Sequence, residues 1–480
     1  MDEYGAAPSI PGVPFCAFPL EIQSQIANYL DKKSLFNAIL VDKEWFLRLI
    51  DLLWRTVSVN TVFTNPAKII TKGRRQYYAT KIRRIFIKSK YNASLHEGLE
   101  FHSIQHLDVQ RLSTADATWL LPFLKTTLQS ITVKAYCDMN TRVLDRLQNC
   151  TQLRFLALQG LVQPYNEEEL MVYLLKAPSL REVNLYPGNI CYAGYGYLMA
   201  RMLNALLQRG NLEKISICSK LPKDCFAEHR STLAQCFPSN TNLLRLHLQA
   251  YSPAIVVCLS TATASLYSLD LLLLDSGHNV FKHLRNFPNL SKLTLTFSLE
   301  SGATAKLSPS HLEMLCMLTK LTYLSITTPT WGNVELEWLT DAYFDSWIAH
   351  LGWLRGLELA WSCSLSCAAL ISIARSCPLL TCCMLGWRVN LYSLSSLLTT
   401  GPLLPLLKSL YLLDVKVIAT NSGRLVVGGA AARVIVPTIC ALFPDLTDLD
   451  IDYSGPDIRV ELFVSRLETI IRKTLEACRS

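Results

Sequence analysis

Apolar residues recur along most of this chain at the first, fourth and sixth places of short segments, separated by polar residues. The first seven are Ile82/Ile85/Ile87, Ile104/Leu107/Val109, Leu128/Ile131/Val133, Leu153/Leu156/Leu158, Leu180/Val183/Leu185, Leu212/Ile215/Ile217 and Leu243/Leu246/Leu248. Seven more follow: Leu266/Leu269/Leu271, Leu290/Leu293/Leu295, Leu321/Leu324/Ile326, Leu354/Leu357/Leu359, Leu380/Cys383/Leu385, Leu407/Leu410/Leu412 and Leu446/Leu449/Ile451. Their starts lie 22 to 39 residues apart, with a mean of about 28. Alternation at the fourth and sixth places predicts a strand, and a period in this range predicts a stacked array whose units bury their apolar residues against one another. Stretches compatible with helix lie between the strands, among them 196–207, 308–318 and 367–376. Three residues before the leading apolar position a turn entry recurs, as in Ala177-Pro-Ser-Leu, Phe287-Pro-Asn-Leu, Cys377-Pro-Leu-Leu and Phe443-Pro-Asp-Leu. Proline there ends a helix and biases its neighbour toward extended backbone.

The ends of the chain follow other patterns. From Phe18 to Val57 the apolar residues fit three short helices: Ile22, Ile26, Tyr29 and Leu30, then Leu35, Ala38, Ile39 and Val41, then Trp45, Leu49, Leu52 and Leu53. Pro19 suits a first helical turn, and Asp31 with Ser34 marks the break before the second helix. About forty residues with this much apolar surface cannot bury it all internally, so part of it is expected to meet another protein. Residues 1–14 are rich in Gly and Pro and predict a disordered lead-in, and 60–80 a basic linker. At the far end, Val460, Phe463, Val464, Leu467, Ile470, Ile471 and Leu475 stand at helical spacing and predict a helix over 457–480 that closes the array.

Composition narrows the functional classes. The 480 residues are half apolar, but no run reaches the roughly eighteen uninterrupted residues of a membrane helix. The start has no basic segment followed by an apolar one, so a cytoplasmic or nuclear protein is expected, with its 16 cysteines reduced. The net charge of +8 is concentrated between Lys68 and Lys90, where nine cations stand without an acid. That run reads first as a solvated flank, then as an import signal or a site for an acidic partner. Direct nucleic-acid binding, with Tyr77, Tyr78 and Phe86 as stacking groups, is the least favoured reading.

Candidate chemistry is sparse. Cys363, Cys367, Cys377, Cys382 and Cys383 lack the paired C-x-x-C spacing of zinc sites and read as small buried hydrophobes. Asp448, Asp450 and Asp452 share a strand face, yet Tyr453 and Arg459 stand where a calcium loop needs Gly and Glu. There is no phosphate loop, dinucleotide fingerprint, zinc-protease motif or nucleophile elbow. No metal, cofactor or catalytic activity is therefore expected. Outward-facing fifth and seventh positions, Asn184, Tyr186, His247, Gln249, Glu358, Asp450 and Asp452, are the candidate partner contacts. Trp361 and Trp387, at the eighth position of consecutive repeats, read either as packing at the strand exit or, if exposed, as binding anchors. The loops 186–197 and 419–433, inside the longest units, are further candidates.

Two stretches carry a family resemblance. Phe18-Pro-Leu-Glu-Ile22, Ile26, Leu30-Asp31, Leu35, Val41-x-Lys43-x-Trp45 and Leu53-Trp54-Arg55 together resemble an F-box, with Phe18 where that family usually has Leu. The array resembles the cysteine-containing leucine-rich repeats often joined to F-boxes. The resemblance implies an α/β chain, a three-helix F-box over 15–59 followed by a leucine-rich-repeat solenoid over 81–456 with helices outside a curved parallel sheet. It implies docking onto the adaptor subunit of a cullin-based, SCF-type ubiquitin ligase through Pro19, Leu20, Ile22, Ile26, Leu30, Leu35, Val41, Trp45 and Trp54. The solenoid would then hold an unknown target protein. A non-catalytic scaffold without ligase activity is the alternative.

Overall fold

The computed structural model describes residues 17–41, 43–58, 72–88, 98–159, 167–186, 195–224, 242–261, 265–299, 304–329, 334–416, 429–453 and 458–479. The chain divides into two compact units, Met1–Leu180 with Asn184–Ile190 and Arg181–Val183 with Cys191–Ser480. The lead-in 1–14 and the loop segments 187–194 and 417–428 lie outside the described residues.

The first unit opens with α1 (Leu20–Tyr29), α2 (Lys32–Ala38) and α3 (Lys43–Trp54), followed by β1 (Thr56–Ser58) and α4 (Lys72–Ala79). The Asp31 carboxylate accepts the Ser34 N–H at 2.7 Å and starts α2. The bundle's core is small: Ala27, Leu35, Ala38, Ile39, Leu49 and Ile50 are buried, with Leu30, Trp45, Phe46 and Trp54 packed partly against them. Leu35 is only 6% exposed, which corrects its assignment to a docking surface: it holds the helices together. The expectation of a linker over 60–80 is corrected in part. Its second half is α4, whose Tyr78 stacks on Trp54 with ring centroids 4.4 Å apart. Gln76 both donates to Glu100 O at 2.9 Å and accepts from Glu100 N at 3.0 Å, and just beyond the helix Lys81 pairs with Asp51 at 2.9 Å.

The unit continues with β2 (Arg84–Ile87), β3 (His106–Asp116), a 3₁₀ turn at Thr118–Phe123, β4 (Ser130–Asp138), α5 (Thr141–Gln148), β5 (Phe155–Gln159) and α6 (Glu167–Lys176). The boundary between units runs through β6 (Glu182–Tyr186).

In the second unit come α7 (Tyr195–Leu207), β7 (Lys214–Leu221), β8 (Arg245–Ala250), α8 (Ser252–Thr261), β9 (Ser268–Leu273), α9 (His278–Leu284), β10 (Lys292–Phe297), β11 (Ala305–Lys306) and α10 (Pro309–Cys316). These lead to β12 (Tyr323–Thr327), β13 (Val334–Glu335), α11 (Asp341–Ile348), β14 (Gly356–Leu359), β15 (Trp361–Ser362), α12 (Ala368–Ser376), β16 (Cys382–Leu385) and β17 (Val389–Asn390). A 3₁₀ segment (Leu391–Thr400), β18 (Ser409–Leu412), β19 (Val415–Lys416), α13 (Gly429–Leu442), β20 (Asp448–Ile451) and α14 (Ile458–Arg479) complete it.

Among the described residues the strands pair in parallel and in chain order, β1 to β5 in the first unit and β7 to β10, then β12, β14, β16, β18 and β20, in the second. The register explains the sequence pattern. Fourth-position residues stand side by side, Leu246 beside Leu269, Leu293, Leu324, Leu357, Cys383, Leu410 and Leu449 in turn. The residues at the first, fourth and sixth places of all fourteen repeats are buried. Each unit thus completes the core of its neighbour, as leucine-rich repeats do. Among the described residues, in nine of the repeats the turn before the strand is closed by a bond from the leading residue's N–H to the carbonyl three residues earlier, as in Leu290 to Phe287 at 3.0 Å and Leu380 to Cys377 at 3.1 Å. One strand is additional to the fourteen. Val57 of β1 stands beside Ile85 of β2, so Trp54-x-x-Val57 forms half a repeat that the sequence pattern does not announce.

Candidate interaction surfaces

Two surfaces carry the candidate residues, one on the helices of the first unit and one on the strands of the second. In α1 the buried residues are Gln23 and Ala27, whereas Ile22 and Ile26 are exposed and Tyr29 is 91% exposed. Gln23 is held inside by its own bonds, donating to Phe18 O at 2.6 Å and accepting from Arg48 Nη1 at 2.8 Å. The apolar stripe that predicts this helix therefore faces outward. Pro19 is exposed beside it, and Val41 is 65% exposed. Leu30, Trp45 and Trp54 are half-buried, and the Leu20 side chain lies outside the described residues. The sequence reading missed Phe36 of α2, Leu40 in the turn after it and Leu47 of α3, all of which are exposed. Their signal was the shortage of partners: a bundle with six buried core residues cannot cover them.

The second surface is the strand face opposite the shared core, where third and fifth positions point together. His247 Nδ1 meets Asp270 Oδ2 at 2.6 Å across adjacent strands. Burial alone would lower the His247 pKa, but hydrogen bonds to Asp270 and Cys218 and their charges prevail, and it rises to about 10. Glu358 accepts from Ser325 Oγ at 3.0 Å, and burial together with Glu358 pushes the Tyr323 phenol up. Tyr411 donates to Asp448, while Asp450 and Asp452 are exposed. Gln249 is half-buried; on the first unit's part of β6, Tyr186 is half-buried and the buried Asn184 Oδ1 has no hydrogen-bond partner among the described residues.

Trp361 and Trp387 are corrected from binding anchors to core residues, at 0% and 1% exposed. The chain turns inward after β14 and β16, placing Trp361 against Trp347 at 5.5 Å and Trp387 against Phe344 at 5.7 Å between ring centroids. Period-two alternation already puts the eighth position on the buried side with the fourth and sixth.

Of the five clustered cysteines, Cys377 and Cys383 are buried as expected, whereas Cys363, Cys367 and Cys382 are half-buried. Cys377 donates to Leu351 O at 3.4 Å, and burial pushes its thiol up to about 12 and that of Cys363 to about 11. Among the described residues no group of three or more His, Cys, Asp or Glu is placed to hold a metal ion, and no helix is long and apolar enough to cross a membrane. Within the basic run, Lys81 is taken by Asp51 and Tyr78 by Trp54. Arg83 and Arg84 are exposed, and burial with the charges of Arg84 and Arg55 holds the His106 pKa down.

No protein-family model matches the chain, and no curated protein matches it. Among matching solved structures is an internalin from Listeria monocytogenes, 16% identical, aligned over 84% of this chain and 90% of that one with a TM-score of 0.36. The assignment to a leucine-rich-repeat architecture rests on the strand register and buried ladder described above.

Proposed function

We propose that this chain is the target-recognition subunit of an SCF-type ubiquitin ligase, with the helices of its first unit docking the adaptor and its repeats holding a target protein. The observation that carries the reading is the set of exposed apolar residues of α1, α2 and the turn after α2: Ile22, Ile26, Tyr29, Phe36, Leu40 and Val41 remain exposed on a folded bundle. Exposed apolar groups at this density mark a protein interface, and they fall within the stretch that resembles an F-box. Such a receptor works by proximity, raising the effective concentration of the target beside a ubiquitin-loaded enzyme and contributing no reacting group itself.

Replacing Ile26 and Val41 together by Glu places charge on this face without touching the core. The variant is expected to lose co-purification of adaptor and cullin by at least about tenfold, at an unchanged melting temperature. Retained adaptor would sink the docking assignment. Adaptor recovered without cullin, with no target accumulating when the chain is removed, would favour the scaffold reading.

A further inference from the structure

The strand face of the second unit carries net charge of opposite sign at its two ends. The register from β7 to β20 is continuous, so third-position residues form one row and fifth-position residues another. The third-position row begins with Lys214 beside Arg245 and continues through Ser268 to Lys292. Arg245 and Lys292 are exposed and Lys214 half-buried, and none of the three is in an ion pair among the described residues. Two acids adjoin this end, Glu182 in the third position of the preceding strand β6 and Asp270, which is already taken by His247, so the cations still outnumber the acids.

The other end is acidic. Asp448 ends the third-position row and Asp450 the fifth-position row, and Asp452 follows β20. Asp450 and Asp452 are exposed and in no ion pair among the described residues. Asp448 is 3.8 Å from Arg472, but that guanidinium is closer to Glu468, at 2.8 Å. Between the ends the two rows hold mainly uncharged residues, such as Thr294, Tyr323, Met384 and Tyr411, with Glu358 the acid among them.

We propose that this face binds an extended peptide segment of about a dozen residues lying across the strands, acidic over β7–β10, uncharged in the middle and basic over β18–β20. The length follows from geometry. Eight strand steps separate β7 from β20, about 38 Å at about 4.8 Å per step, and extended chain covers about 3.3 Å per residue. The ends lie several Debye lengths apart at physiological salt, so each attracts its own charge independently and together they set the direction of the segment. A nucleic acid suits one end only, since the acidic end repels phosphate. The proposal deepens the target-receptor reading by naming the target's chemistry, but adaptor docking is not required for it, so either can fail alone.

The test uses the purified full chain and a fluorescent peptide of about a dozen residues, with a block of Glu, a block of Ser and a block of Lys, read by anisotropy at low salt. It is expected to bind at least about tenfold tighter than a peptide of the same composition with Glu and Lys alternating. Lys214→Glu with Arg245→Glu should abolish that preference, as should Asp450→Lys with Asp452→Lys. All four changes together should restore it, because a face reversed at both ends takes the same peptide turned round, which also shows that the variants fold. Equal affinity for the two peptides overturns the proposal. So does a preference unmoved by the two-residue reversals, or tighter binding of a single-stranded oligonucleotide of similar length.

Discussion

At the residue scale, two glycines show how closely neighbouring repeats approach. A Cβ on Gly386 would lie 2.6 Å from Ala360 Cα and 2.7 Å from Trp361 N, both backbone atoms of the adjacent repeat. The approach is fixed by the Gly386 N–H donating to Leu359 O at 2.7 Å. A Cβ on Gly356 would instead meet the Tyr323 ring at 2.5 Å, and a ring can turn aside where backbone cannot. Gly386→Ala is therefore expected to cost about 2–3 kcal/mol, at the upper end for overpacking, and Gly356→Ala about 1 kcal/mol. Thermal or denaturant unfolding of the two variants checks the order; equal losses would remove the distinction between backbone and side-chain neighbours. Neither glycine was legible as special in the sequence, because each owes its constraint to a residue about thirty positions away. The two tryptophans differ: the alternation that identified the strands also implied their burial.

At the element scale, α10 depends on a histidine that must stay neutral. The Ser308 backbone N–H can only donate, and it does so to His311 Nδ1 at 3.1 Å. The proton of His311 therefore sits on Nε2 and points at His278 Nδ1, 3.2 Å away. Burial first, then the charges of His278 and Lys282, lowers the His311 pKa to about 4. The folded chain thus binds fewer protons here than the unfolded chain, whose histidine has an ordinary value of about 6.5. The stabilisation is complete above that value and is lost as pH falls toward 4. Between pH 7 and 4 the site is expected to contribute a loss on the order of 1–2 kcal/mol, and His311→Gln should remove that part of the slope in pH-dependent denaturation. Identical slopes for the two proteins would show that His311 is not the group responsible. Elements with a long apolar period, such as α7, were legible from sequence. β1 and α4 were not: β1 offers only Trp54 and Val57 of its repeat, and α4 lies within a basic run that reads as solvated chain.

At the scale of the whole molecule, what the sequence disclosed follows from which positions packing constrains. The buried ladder must be apolar in every repeat, so the architecture could be read fourteen times over, whereas the outward third and fifth positions are free to vary, and only the register brings their charges into rows. The same nearest-neighbour construction leaves the last strand, β20, with an open edge, which α14 covers. Val460, Phe463, Val464, Leu467 and Ile471 of the helix are buried, and Arg472 donates to Leu449 O from Nε at 3.2 Å and from Nη2 at 2.7 Å. An uncovered edge strand presents unpaired backbone groups and exchanges readily. In a stack held by contacts between neighbours, damage at one end should spread only a repeat or two. Arg472→Ala is therefore expected to raise hydrogen exchange at the amides of β20 and β18 by about tenfold, while those of β9 and β10 keep their protection. Uniform loss of protection across the second unit would mean that its repeats fold as one cooperative block, and the additive picture of this stack would fail.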